Sequence, residues 1–160
     1  MEAQRYPEDF DGIVAGAPAY NWQAIAAHGI QINQKMFPDA NFLDEAIIGQ
    51  AEQALIAQHY LEQCDHLDGI EDGILTDPRD CDFQVESLRC TGPDNGSCLD
   101  ADQLSAIKTV YDGPRDDLGQ LYPGFPLGGE TSDAGMKVWT TGGLLHNPDI
   151  SEPFDADGPA

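Results

Sequence analysis

Residues 64–81 read CDHLDGIEDGILTDPRDC, and this stretch decides how the middle of the chain folds. Four aspartates, Asp65, Asp68, Asp72 and Asp77, fall within thirteen residues between two cysteines. Carboxylates this close repel one another unless a cation or water separates them. The stretch therefore predicts a tight loop in which a cation or water separates the carboxylates.

The loop contains a repeat of Asp-Gly-Ile, at residues 68–70 and again at residues 72–74. Glycine permits the positive φ with which a chain curls around an ion, and calcium prefers carboxylate and carbonyl oxygens. The spacing predicts a calcium site whose five ligands are the carboxylates of Asp65, Asp68 and Asp72 and the carbonyls of Ile70 and Ile74. In this arrangement the isoleucine side chains pack inward. The spacing excludes an EF-hand. The alternative is a run of Asp-Gly turns without a metal.

Four cysteines, Cys64, Cys81, Cys90 and Cys98, suggest disulfides and an oxidising compartment. Three pairings are open, and the sequential one makes the most local sense. A bridge closing the first loop would stabilise the fold by roughly 3 kcal/mol in the chain-entropy model. The alternative is four free thiols in a cytosolic protein. A zinc site is disfavoured because no Cys-x-x-Cys spacing occurs.

The composition sets outer limits on function. The chain has 160 residues, enough for one domain, and a net charge of -22 argues against a nucleic-acid partner. No apolar run is long enough to span a membrane. The N-terminus lacks the pattern of a signal peptide. Disulfides without an export signal predict that the beginning of the parent protein is missing from this chain.

Two helices are predicted with defined starts. The first has Asp44 as N-cap, with Leu43 and Ile48 at the positions of a hydrophobic staple, and ends near Cys64. The second has the capping box of Asp100 and Gln103, and Gly113 follows its last turn.

The remaining segments give weaker patterns. Residues 1–9 read as the end of a helix that stops at Tyr6-Pro7, and residues 10–19 as a buried strand of a parallel sheet. Residues 20–42 read as loop with a short helix. Loops follow Pro114, with a short helix near 136–139, and the last dozen residues read as an unfinished end.

These motifs together resemble the tannase and feruloyl esterase family. The resemblance rests on EAQRYPEDFDGIVAGAPA at residues 2–19, the cysteine-bracketed aspartate loop at 64–81, CLxxxQ at 98–103 and YxG at 111–113. It covers roughly residues 1–130. Members are secreted esterases with an α/β-hydrolase fold and a large lid domain, and they cleave esters of aromatic acids.

The resemblance implies an α/β fold class for this chain. Residues 1–20 match a fragment of the hydrolase core, one helix tail and one strand, and residues 21–160 match a loop-rich lid that is incomplete at its C-terminal end. In the family the aspartate loop binds a structural Ca²⁺ through the positions of the five ligands named above. The two cysteine pairs match lid disulfides, Cys64–Cys81 and Cys90–Cys98.

No catalytic residue carries over from the family. Its nucleophile lies in a GCSxGG elbow on the helix whose tail matches the start of this chain, and its acid and histidine follow the lid. None of the serines lies in a GxSxG elbow; they are Ser87, Ser97, Ser105, Ser132 and Ser151. The histidines have no matching context either; they are His28, His59, His66 and His146.

The resemblance therefore implies a lid-bearing fragment of a secreted or periplasmic serine esterase, inactive by itself, whose parent acts on small aromatic esters. The composition adds that no nucleic-acid or membrane partner is expected. Four aromatic residues are candidates for a substrate pocket, although ordinary lid packing is the simpler interpretation of each; they are Trp22, Tyr122, Phe125 and Trp139. The alternative function is a non-catalytic, calcium-stabilised binding module.

Overall fold

A computed structural model describes residues 2–16, 21–39, 46–93, 96–132, 135–136 and 140. These residues form helices α1 (Glu2–Arg5), α2 (Trp22–Met36), α3 (Gln50–Cys64) and α4 (Ala101–Asp112). A small antiparallel hairpin joins β1 (Arg115–Asp116) to β2 (Gly119–Gln120). Single 3₁₀ turns cover Pro7–Asp9, Asp65–Asp68, Pro78–Asp80 and Val85–Leu88. No helix in the described ranges is both long and apolar enough to cross a bilayer.

Helix α2 is longer than the short helix predicted within residues 20–42. Its buried face repeats every four residues, with Ala24, His28, Ile32 and Met36, and it packs against α4. The Asn21 side chain caps its start by accepting a hydrogen bond from the N–H of Ala24 at 3.2 Å. The prediction was wrong because the buried stripe contains an alanine and a histidine, which weakens the apolar periodicity.

Helix α3 ends at Cys64, as predicted, but begins at Gln50. Asp44, the predicted N-cap, lies outside the described residues, and residues 46–49 are not helical. The N–H of Ile47 donates to the Met36 carbonyl at 2.9 Å, and Ile48 is fully buried. This docking against the end of α2 delays the helix until Gly49, whose N–H donates to the Glu52 carboxylate at 2.7 Å.

Helix α4 has the start that the sequence predicts. The Asp100 carboxylate accepts from the N–H groups of Asp102 and Gln103, both at 2.8 Å, and the Gln103 side chain accepts from the N–H of Asp100 at 2.9 Å. Gly113 follows with a φ of 73°. The reciprocal hydrogen bonds between Asp100 and Gln103 confirm the predicted capping box.

The N-terminal segment confirms the helix tail and contradicts the strand. Helix α1 ends at Arg5, before Tyr6-Pro7. Residues 10–16 form no strand, and Val14 is fully exposed, because none of the described residues pairs with this segment. Residues 17–19 lie outside the described ranges. The predicted division into core (1–20) and lid (21–160) stays a prediction.

The hydrophobic core lies between α2, α3, α4 and the turn Val85–Leu88. Its fully buried side chains include Met36, Ile48, Ile56, Leu99 and Ile107. Of the short helix predicted near 136–139, only Met136 is described, and its carbonyl accepts from the N–H of Thr140 at 2.9 Å. The unfinished end predicted for the last dozen residues lies outside the described ranges. The core fixes the end of α3, from which the aspartate loop departs.

Candidate functional site

Two disulfides hold the segment that follows α3. Cys64 pairs with Cys81 across a Cα–Cα distance of 5.6 Å, and Cys90 pairs with Cys98 across 4.9 Å. Cys64 is fully buried at the end of α3, so the first bridge ties both ends of the aspartate loop to the core. Both predicted pairings are confirmed, and no cysteine is free.

Two aspartate carboxylates join the first half of the loop to the second. The N–H of Gly73 donates to both oxygens of Asp65, at 2.9 and 3.1 Å. Gly73 lies eight positions after Asp65, and the same spacing recurs where the N–H and hydroxyl of Thr76 donate to Asp68, at 2.9 and 2.8 Å. The aspartates therefore organise the loop through hydrogen bonds to its own backbone.

The same loop contains a repeated turn in which an aspartate accepts from the N–H two residues later. It occurs at Asp68–Ile70 and Asp72–Ile74, both at 3.1 Å, and at Asp77–Arg79, at 3.0 Å. Gly69 and Gly73 have φ values of 93° and 85°, which side-chain-bearing residues rarely adopt. The structure thus contains the Asp-Gly turns that the sequence offers as the alternative to a metal site.

Hydrogen bonds keep part of the loop ionised. The N–H and hydroxyl of Thr76 hold the pKa of Asp68 below its usual range. The Arg79 guanidinium, which donates from Nε to Asp77 at 2.8 Å, lowers the pKa of Asp77 to about 2. Both groups are therefore carboxylates at neutral pH, the form that binds a cation.

The predicted ligands fit calcium in chemistry, since all five supply oxygen. Their side chains, however, are not gathered around one point. Within the described residues, no group of three or more His, Cys, Asp or Glu side chains is placed to hold a metal ion. The prediction that the isoleucine side chains pack inward is wrong, because Ile70 and Ile74 are 62% and 69% exposed. The backbone N–H groups of Ile70 and Ile74 donate to Asp68 and Asp72 in exposed turns of the loop, and these turns leave both side chains in solvent.

Three of the four candidate aromatic residues line one groove. Trp22 on α2 faces Tyr122 and Phe125 across a cavity of 410 Å³, whereas Trp139 lies outside the described residues. His28 also lines this groove, and its ring centroid lies 5.5 Å from that of Phe125. The sequence reasoning missed His28, and the signal that would have found it is its four-residue spacing from Ala24 and Ile32.

Two histidines and one serine in the described part of the chain have partners with no catalytic arrangement. His28 Nε2 lies 3.0 Å from the Thr109 carbonyl, and His59 lies on the surface 3.7 Å from Glu62. The Ser132 hydroxyl donates to the Gly129 carbonyl at 3.1 Å. No hydrogen bond between a histidine and a serine occurs among these three residues, so they form no acyl-transfer pair.

A second cavity, of 280 Å³, lies beside a carboxylate that the sequence reasoning missed. Glu130 is only 1% exposed. Its carboxylate accepts from the Tyr111 hydroxyl at 2.8 Å and from the N–H of Gly128 at 3.0 Å. Burial, and secondarily Glu130, raises the pKa of Tyr111. The pair fastens residues 128–130 to α4.

Relatives identify the family. The family model for tannase and feruloyl esterase matches residues 1–155. The chain is 34% identical to a probable feruloyl esterase B-2 of Aspergillus flavus over 136 residues, which is 82% of this chain and 25% of the relative. It is 32% identical to the mono(2-hydroxyethyl) terephthalate hydrolase of Piscinibacter sakaiensis, covering 89% of this chain and 28% of that protein.

A solved structure gives the same result. The crystal structure of feruloyl esterase B from Aspergillus oryzae superposes with a TM-score of 0.70 at 30% sequence identity, covering 88% of this chain and 28% of that one. The chain thus spans about a quarter of the length of the curated relatives it matches. The match to the family model covers most of the sequence, and the chain belongs to the tannase and feruloyl esterase family.

Proposed function

We propose that this chain is the calcium-binding lid portion of a secreted serine-type carboxylic ester hydrolase that cleaves esters of aromatic acids. The observation that carries the proposal is the family match over residues 1–155. Relatives named as feruloyl esterase and as mono(2-hydroxyethyl) terephthalate hydrolase support hydrolysis of esters of aromatic acids as the reaction.

The reaction of the parent protein follows two steps. A serine hydroxyl attacks the ester carbonyl and the alcohol leaves, which gives an acyl-serine; water then attacks this intermediate and releases the acid. We place the nucleophile, the histidine and the acid outside residues 1–160, because none of the serines in this sequence lies in a GxSxG elbow. The lid would cover the aromatic acid.

Hydrolysis of methyl ferulate and methyl gallate tests this division of labour. We expect no turnover by the 160-residue chain and clear turnover by a protein in which the segment stands within a full-length esterase of the family. Turnover by the chain alone would refute the assignment to a lid. Inactivity of the full-length protein on both esters would refute the proposed reaction.

The proposed calcium ligands are the carboxylates of Asp65, Asp68 and Asp72 and the carbonyls of Ile70 and Ile74. Each carboxylate has lone pairs beyond those used by the backbone N–H groups of the loop, so the turns and the ion are compatible. The disulfide that fixes both ends of the loop lowers the ordering cost of binding. The ion would hold the lid in shape and take no part in bond cleavage.

Thermal unfolding with calcium chloride or with a chelator tests the site. We expect calcium to raise the unfolding midpoint of the unsubstituted 160-residue chain. It should do the same for Asp80→Asn, which removes an acidic charge from the same loop without removing a proposed ligand. Asp72→Asn keeps an oxygen for the turn to Ile74 but loses the charge, and should lose the shift. An unchanged unfolding midpoint in the unsubstituted chain would remove calcium from the proposal.

A further inference from the structure

The aspartate loop carries aliphatic side chains that face solvent. Leu67, Ile70 and Ile74 are 48%, 62% and 69% exposed. The two hydrogen-bonded contacts that span eight positions of the loop place residues 65–68 beside residues 73–76. Leu67 and Ile74 therefore lie in neighbouring segments, and Ile70 lies in the turn that joins these segments. Exposed apolar side chains that are grouped in this way mark a surface of interaction.

The loop is already ordered before any partner binds. The Cys64–Cys81 bridge joins its two ends, and Cys64 is fully buried in the core. Asp68 and Asp72 each close a turn by accepting from the N–H of the isoleucine two residues later. An ordered surface loses less conformational entropy on binding than a flexible one. The three aliphatic side chains therefore stand on a preorganised loop.

The charge around these side chains indicates the kind of partner. Residues 64–81 contain six Asp or Glu and a single Lys or Arg. A cavity of 390 Å³ lies where α3 meets the loop, and the acidic residues in its lining are Glu62, Asp65 and Glu71. None of the described residues that line this cavity is Lys or Arg. The cavity is therefore complementary to a basic side chain.

The charge also disfavours other occupants of the surface. A second copy of this chain has the same net charge of -22 and would be repelled, as would an anionic membrane. A partner with both basic and apolar side chains satisfies the two halves of the surface at once. Amphipathic peptide segments combine side chains in this way.

We propose that the aspartate loop docks a basic amphipathic peptide segment of a partner protein. Apolar side chains of the partner contact Leu67, Ile70 and Ile74, and a Lys or Arg of the partner enters the acidic cavity beside them. The proposed calcium contacts of Ile70 and Ile74 use backbone carbonyls, so both side chains remain available to the partner. The inference rests on the exposed side chains and the charge of the loop, and it depends on neither the ester hydrolase nor the calcium site.

Fluorescence anisotropy of a labelled helical peptide, titrated with the whole chain at physiological ionic strength, tests the surface. The peptide has leucines on one face and lysines on the other, and in the comparison peptide serine replaces every leucine. We expect saturable binding of the Leu/Lys peptide and about tenfold weaker binding of the Ser/Lys peptide, which keeps the charge but buries less apolar surface. Absence of saturable binding, or equal affinity for the two peptides, would overturn the proposal.

Variants locate the apolar contact. Ile70→Ser combined with Ile74→Ser removes two exposed side chains and keeps the backbone carbonyls, and should weaken binding of the Leu/Lys peptide about tenfold. The matched control is Leu118→Ser in the hairpin, where the leucine is 96% exposed, and it should leave the affinity unchanged. Undiminished binding by the double variant, or an equal loss in the control, would refute the surface.

A second pair of variants tests the acidic cavity. Glu71→Gln removes one carboxylate from the lining, and should weaken binding of the Leu/Lys peptide about threefold. Asp117→Asn, at the exposed tip of the hairpin, removes the same charge elsewhere and should have no effect. Equal affinities for these two variants would refute the cavity as the site of the basic side chain. All of these readouts are peptide binding, so failure here leaves the proposed function standing.

Discussion

Two tyrosine hydroxyls in this molecule differ in whether they have a partner. Tyr60 is 1% exposed, its ring packs edge-on to Phe83 at 6.2 Å, and its hydroxyl forms no hydrogen bond within the described part of the chain. Burial raises its pKa. The hydroxyl of Tyr111 instead donates to the buried Glu130 at 2.8 Å. The same substitution should therefore have opposite effects at the two positions.

Tyr60→Phe should raise the free energy of unfolding by about 1 kcal/mol, because it removes a buried polar group without a partner. Tyr111→Phe should lower it by about 1–3 kcal/mol, because Glu130 loses a donor inside the protein. Urea unfolding of both variants measures the difference. A stability loss in Tyr60→Phe as large as that in Tyr111→Phe would contradict the interpretation.

The ion pair between Asp77 and Arg79 makes a prediction about pH. Arg79 lowers the pKa of Asp77 to about 2, so the contribution of this pair to stability is present above the ordinary aspartate pKa of about 4. It is lost as the pH falls from about 4 to about 2. Arg79→Gln should raise the pKa of Asp77, measured from its carboxyl ¹³C shift by NMR, whereas Arg115→Gln, on the exposed β1 strand, should not. An unchanged pKa in Arg79→Gln would show that the turn alone depresses it.

At the scale of elements, local signals predicted α4 and failed for α2. The capping box of α4 lies within a single turn, because both of its hydrogen bonds join Asp100 and Gln103. The buried face of α2 contains His28, which is satisfied by a carbonyl on α4, a contact across 81 residues. The segment before α3 is likewise held by a hydrogen bond from the N–H of Ile47 to the Met36 carbonyl at the end of α2. Such long-range contacts have no signature in a local window.

The end of α4 requires a glycine in the neighbouring segment. A Cβ atom on Gly124 would lie 2.0 Å from the Tyr111 carbonyl oxygen and 2.6 Å from that of Val110. Gly124→Ala should therefore lower the free energy of unfolding by about 1–3 kcal/mol. Gly129→Ala is the matched control, since a Cβ atom there meets nothing within 4 Å, and should change stability by less than about 0.5 kcal/mol. Similar unfolding midpoints for the two variants would contradict the packing at this position.

For the whole molecule, the sequence predicts the family and both disulfides, because these depend on motifs within short stretches. It does not predict the state of residues 10–16, whose apolar side chains resemble a buried strand but lie exposed. A strand needs neighbours that accept its hydrogen bonds, and no local pattern reveals whether those neighbours are present. The aspartate spacing predicts the five proposed calcium ligands, whereas the direction of Ile70 and Ile74 depends on how the loop sits against the core.

The two disulfides should differ in what they contribute to the whole fold. Cys64–Cys81 spans 17 positions and Cys90–Cys98 spans 8. In the chain-entropy model, Cys64→Ala with Cys81→Ala lowers the free energy of unfolding by about 3 kcal/mol, and Cys90→Ala with Cys98→Ala by about 0.6 kcal/mol less. Removing Cys64–Cys81 should also weaken calcium binding at the proposed site, because the unbridged aspartate loop loses more conformational entropy when it becomes ordered. Urea unfolding under non-reducing conditions measures the stabilities, and the midpoint shift with calcium measures the coupling. A larger loss from the shorter bridge, or a calcium shift that survives removal of the longer one unchanged, would contradict this role.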